Sequence, residues 1–150
     1  MGGCCCTSNG GPLSPILFFA TSTETPTANL VGAGPVDVLT LGVSPPSPGQ
    51  HQVKLDSTVE LVLAKLGGAT LTYDIQYRLQ KDGANIATLQ ESGSFTVPNA
   101  ASTYTVIPNL TWNDTITSSA TYTVEIQVTT ITPAGTTITA ETRALNAIVF

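Results

Sequence analysis

From Gln52 to Leu66 the chain alternates with a period of two. Val53, Leu55, Ser57, Val59, Leu61 and Leu63 stand on one side, and Gln52, Lys54, Asp56, Thr58 and Glu60 on the other. An amphipathic helix repeats its apolar residues every 3.6 positions, so this pattern specifies a half-buried strand. Ser57 sits in the apolar phase, which predicts a bend near Asp56 and Ser57. Gly67 and Gly68 can supply the positive φ of a tight hairpin. The alternation then resumes as Leu71, Tyr73, Ile75, Tyr77 and Leu79 against Thr72, Asp74, Gln76, Arg78 and Gln80.

The remaining segments read in the same way. Val36–Val43 is a strand, closed by the Pro-rich loop Ser44–Gln50, because proline cannot donate to a ladder. Asp82 and Gly83 mark a second hairpin, leading into Ile86–Gln90 and a continuation through Ser94–Val97. Ser102–Ile107 is a short strand. Pro108–Thr117 reads as an irregular crossover in which Trp112, the one tryptophan, plugs an end of the sandwich. Ala120–Ile131 and Thr137–Val149 form a closing hairpin through Thr132–Thr136, and an apolar face that switches near Ala144 and Leu145 predicts a bulge. About eight strands and no helical periodicity specify an all-β, antiparallel two-sheet β-sandwich, a jelly roll, with an immunoglobulin-like order as the alternative.

Composition narrows the function. A net charge of -5 with five Lys and Arg leaves no basic patch for nucleic acid or acidic lipid. Charged residues are 10% of the chain, far below the usual quarter or so, and threonine hydroxyls take their place on the surface. Low charge suits a protein that assembles. There is no secretory signal, and Ile16–Ala20 is too short to span a bilayer.

Residues 1–27 form an arm and linker ahead of a domain covering 28–150. All three cysteines lie there in one run, Cys4, Cys5 and Cys6. Neighbouring Cα atoms are about 3.8 Å apart, short of the roughly 4.4–6.8 Å a disulfide spans, so unstrained partners must lie in another chain. The apolar cluster Pro15, Ile16, Leu17, Phe18 and Phe19 is the expected docking element, onto another copy or as the first strand of its own sheet. Thr21–Thr27 is a polar linker.

Chemistry finds little purchase. His51, the single histidine, reads as a surface residue with no triad or metal partner near it in sequence. The acidic residues are spread singly, and three adjacent thiols lack the spacing of a zinc site. Position 6 is cysteine where a myristoylation motif wants Ser or Thr, and the sequons at Asn109 and Asn113 read as incidental without a secretory signal. A carbohydrate groove needs several exposed aromatics, which this chain does not offer. No catalytic residue, cofactor or metal is expected.

An N-terminal arm with a cysteine run (GGCCCTSNG) before a Thr-rich, helix-free sandwich resembles the endospore appendage pilins and related spore-surface fibre subunits of Gram-positive spore formers. The resemblance implies a jelly roll whose arm reaches into neighbouring subunits, head to tail, to build a homopolymeric fibre. It also implies release from the mother cell by lysis, exposure on the spore surface, and other spore-surface proteins as further partners. The chain departs from the best-known members in lacking a cysteine in its β domain, so inter-chain disulfides through Cys4, Cys5 and Cys6 would join arm to arm. An anchor or tip component of the same appendage, or a phage decoration or tail protein, is the alternative.

Overall fold

The computed structural model describes residues 15–21, 24–67, 70–96 and 100–150. Among these residues nine strands follow one another: β1 (Ile16–Thr21), β2 (Val36–Val43), β3 (His51–Lys65), β4 (Thr70–Lys81), β5 (Ala84–Thr96), β6 (Ser102–Val106), β7 (Asn109–Ile116), β8 (Ala120–Thr132) and β9 (Thr137–Val149). One sheet runs β1-β9-β3-β6 with β7 also paired to β3, and the other runs β2-β8-β4-β5. We call them sheets A and B. Taking β6 and β7 as two halves of one strand gives four strands facing four, with successive strands mostly changing sheet. That is the strand order of a jelly roll, and the all-β sandwich is what the alternation specifies.

Alternation tells which side of a strand is buried but not which strand lies beside it. Two expected hairpins are therefore corrected. β3 and β4, on either side of Gly67, lie in different sheets, as do β8 and β9 around Thr132–Thr136. Both connections cross the sandwich. The Asp82–Gly83 turn does close a hairpin, between β4 and β5, with φ of 50° and 80° at its two centres. Positive φ at both positions is the signature of a type I′ turn, which suits the twist of the strands it joins.

β3 is the longest strand and the organising one. Its pairing with β7 and β9 runs in unbroken register through Asp56 and Ser57, where Ser57 is 3% exposed and its hydroxyl donates to Leu110 O at 3.3 Å. A satisfied hydroxyl can occupy an inward position of a strand. The irregularity lies beyond it. Val59 pairs with Arg143 and Leu61 with Ala140, so Glu141 and Thr142 together oppose Glu60. Ile138 and Ala140 are buried before this bulge, and Leu145, Ala147 and Val149 after it. The switch of face expected near Ala144 thus occurs a few residues earlier.

The segment Pro108–Thr117 is a strand over most of its length rather than an irregular crossover. β7 pairs with His51–Thr58 of β3 and β6 with Leu61–Lys65. Between them Pro108 lends only its carbonyl, accepting from Val59 N at 3.2 Å. Trp112 sits opposite Leu55 on this edge strand and is 38% exposed. It stands on the edge strand of sheet A rather than in a crossover loop.

At the other half of the same side, aromatic rings close the sandwich. Tyr73 of β4 stacks on Phe95 of β5 at 5.9 Å, and Phe95 on Tyr104 of β6 at 4.5 Å, within the range of favourable stacking. Gly93 pairs with Tyr73, and a Cβ placed on it would lie 2.7 Å from Tyr73 Cε1 and 2.8 Å from Cζ. Gly93→Ala is expected to destabilise the fold by about 1–3 kcal/mol, since the ring must leave its stack. Urea denaturation of the variant tests this, and a wild-type midpoint would show that the ring moves freely.

Candidate functional site

The arm is the feature that sets this chain apart, and the structure shows what lies at its base. β1 is the outermost strand of sheet A, antiparallel to β9 in the register Ile16↔Val149 through Thr21↔Ala144. The predicted docking residues thus include a strand that lies on the chain's own sheet. Pro15 is exposed. Ile16 and Leu17 are 38% and 59% exposed, while Phe18 is half-buried against the core. Phe19 keeps its place in the ladder. Cys4, Cys5 and Cys6 lie outside the described residues.

A second segment covers the other half of the same edge. Thr27 N donates to Ala140 O and Ala140 N donates to Thr27 Oγ1, both at 3.0 Å. Leu30 N donates to Ile138 O at 2.8 Å, and Ile138 N to Asn29 Oδ1 at 3.0 Å. Side chains of Thr27 and Asn29 stand in for backbone carbonyls, so the edge is satisfied without a regular strand. Leu30 is 2% exposed. Arg143, buried at the bulge, donates to Ala140 O at 2.9 Å and to Thr25 O at 3.4 Å. The composition boundary at residue 28 falls inside this stretch.

His51 is buried, not a surface residue. Its Nδ1 lies 3.1 Å from Phe150 O and its Nε2 3.0 Å from Ser47 O, so it clasps the Pro-rich loop to the end of β9. Two backbone carbonyls are structural partners, and sequence separation of 99 residues hid one of them.

A polar cluster that no sequence motif announced joins the two sheets. Asp114 of β7 accepts from Tyr122 Oη at 2.7 Å and pairs with Lys81 Nζ at 2.8 Å, and Lys81 also donates to Thr115 O at 2.7 Å. Burial alone would raise the Asp114 pKa, but the hydrogen bonds from Lys81 and Tyr122 outweigh it and hold the carboxyl below its ordinary value. Burial first, and Asp114 second, push the Tyr122 hydroxyl up. The three groups satisfy one another, which makes them a tie between sheets. On the outer face of sheet B, Arg78 likewise spends its donors on Glu125 at 2.8 Å, Gln127 at 2.7 Å and Gln76.

Among the described residues no cavity forms, no group of three His, Cys, Asp or Glu is placed to hold a metal, and no helix is long and apolar enough to cross a membrane. No family model matches the sequence, and no curated protein matches it. Solved structures with a similar strand layout include the infectious bursal disease virus VP2 subviral particle, at 14% identity and a TM-score of 0.43, covering 89% of this chain and 32% of that one. A structure of the infectious bursal disease virus Gt strain gives 13%, 0.42, 89% and 33%. Dimeric latent PorU from Porphyromonas gingivalis gives 11%, 0.41, 90% and 12%. The chain spans about a third of the length of the viral chains it matches. Likenesses this remote carry no argument about function, and the fold class rests on the strand order.

Proposed function

We propose that this chain is a structural, self-assembling subunit of a spore-surface fibre, without catalysis, which polymerises by docking its N-terminal arm onto a neighbouring copy. The observation that carries the reading lies at the base of the arm. The sandwich carries there an outermost strand with two exposed large apolar residues, Ile16 and Leu17, and every cysteine of the chain lies ahead of that strand. Exposed apolar side chains on an edge strand favour association with another chain. Head-to-tail contacts of this kind do not close, so they extend into a filament. On exposure to an oxidant such as dioxygen, which takes the two electrons and two protons, a thiol from each arm would then fix the contact covalently as an interchain disulfide.

Sedimentation of the purified chain over a range of concentrations tests the reading. Large assemblies are expected from the full chain, with a ladder of linked chains on non-reducing gels that collapses on adding reductant. Cys4→Ser, Cys5→Ser and Cys6→Ser together should remove the ladder. A chain that stays monomeric at all concentrations would overturn the proposal.

A further inference from the structure

The two segments on the outer edge of β9 are held very differently. Thr27–Leu30 is fixed by four hydrogen bonds and the buried Leu30. β1 is fixed by its ladder and by the half-buried Phe18, with Ile16 38% and Leu17 59% exposed. β1 can therefore leave while the base of the arm stays in place. Its departure would uncover Ala144–Val149, six residues of sheet edge with Leu145, Ala147 and Val149 already buried on the inner side. An uncovered edge of that kind is a template for another strand. Every copy carries the same edge and the same β1, so a second copy's β1 fits it in the same register.

We infer that the Ala144–Val149 edge of β9 is the acceptor for the β1 of a second copy, and that the free subunit is self-capped by its own β1. The inference rests on the assembly reading above and specifies its contact. Every ladder bond broken within a chain is remade between chains, which is why strand exchange is a low-cost route to association. What favours the closed form is proximity alone, since a strand tethered beside its site acts at an effective concentration in the millimolar range or so. Exchange is thus driven by high protein concentration and by whatever hold residues 1–14 add.

The test uses the full chain with its native cysteines. Leu17 and Ile148 are directly opposed on the outer face, and opposed Cβ atoms lie about 4.5–5.5 Å apart, close to disulfide range. One preparation carries Leu17→Cys only and the other Ile148→Cys only, so a 17–148 bond between them forms only in trans. They are mixed, assembled, oxidised and digested, and linked peptides are read by mass spectrometry. The control pairs Leu17→Cys with Gln90→Cys, on the exposed face of β5 in sheet B. Assembly with the 17–148 peptide exceeding the 17–90 peptide by on the order of tenfold or more is the expected result. Assembly without that excess would overturn the inference while leaving the fibre reading intact, with β1 staying at home and residues 1–14 making the contact alone. No assembly from either the mixture or the unmodified chain would overturn both.

Discussion

Above pH 10 the protein is expected to lose stability steeply, more than through any single substitution at neutral pH. Burial raises the Tyr77 pKa from 10.0 to about 12, and burial followed by the Glu91 carboxylate does the same to Tyr73. A raised pKa means that the fold favours the protonated hydroxyl. The stabilisation is complete below the unfolded value near 10 and is lost as pH climbs through the folded value near 12. Tyr77 is fully buried, so its shift alone corresponds to about 3 kcal/mol, and Tyr122 moves in the same direction. Against a total of about 5–15 kcal/mol that removes a large share of the stability. Urea midpoints measured from pH 8 to pH 12 should fall sharply over the upper half of that range. A flat profile would show that the tyrosines ionise without opening the sandwich. Tyr77→Phe supplies the control. The Tyr77 hydroxyl has no hydrogen-bond partner in the described residues. The nearby Ser57 hydroxyl pulls its pKa down, but burial outweighs that, and the Ser57 hydroxyl donates to Leu110 O. Removing the Tyr77 hydroxyl should leave neutral stability within about 1 kcal/mol of wild type and soften the alkaline fall.

Asp114→Ala should cost about 2–3 kcal/mol at neutral pH, because it strands the buried Tyr122 hydroxyl and unpairs Lys81. The side chains of Lys81 and Asp114 are 25% and 21% exposed, so water keeps the loss below that of a fully buried pair. The same carboxylate gives an acid limb. Its pKa is depressed in the fold, so its contribution is present above the ordinary carboxylate pKa and disappears as pH falls through the folded value. Denaturation of Asp114→Ala at neutral and acidic pH should show lower stability and a shallower acid decline than wild type. A neutral-pH loss under about 0.5 kcal/mol would place the pair among ordinary surface salt bridges.

Much of this fold was legible because its strands are long and regular. The inward series Val53 to Leu63 and Leu71 to Leu79 is buried as the alternation requires, and even Lys65, next in phase, is 1% exposed. What the pattern could not carry is partnership. Gly67 looks like a hairpin centre, yet the chain crosses from one sheet to the other there, since face periodicity is identical for strands that pair and strands that do not. β7 was obscured because Asp114 interrupts the inward series Leu110, Trp112 and Ile116, and it is inward only by virtue of Lys81 and Tyr122, which come from another sheet. His51 was misread for the same reason, its partner Phe150 O being remote in sequence. The arm was recognisable from its cysteines and the Ile16–Phe19 cluster. Its register on β9 was not, because several alignments of a short apolar strand satisfy the same sequence.

Electron microscopy of the full chain beside a version lacking residues 1–20 tests the account at its centre. Fibres from the full chain and discrete particles from the shortened one, with both still folded by circular dichroism, are the predicted result. Fibres from both would show that the arm is not the connector, and discrete particles from both would show that the chain does not polymerise on its own.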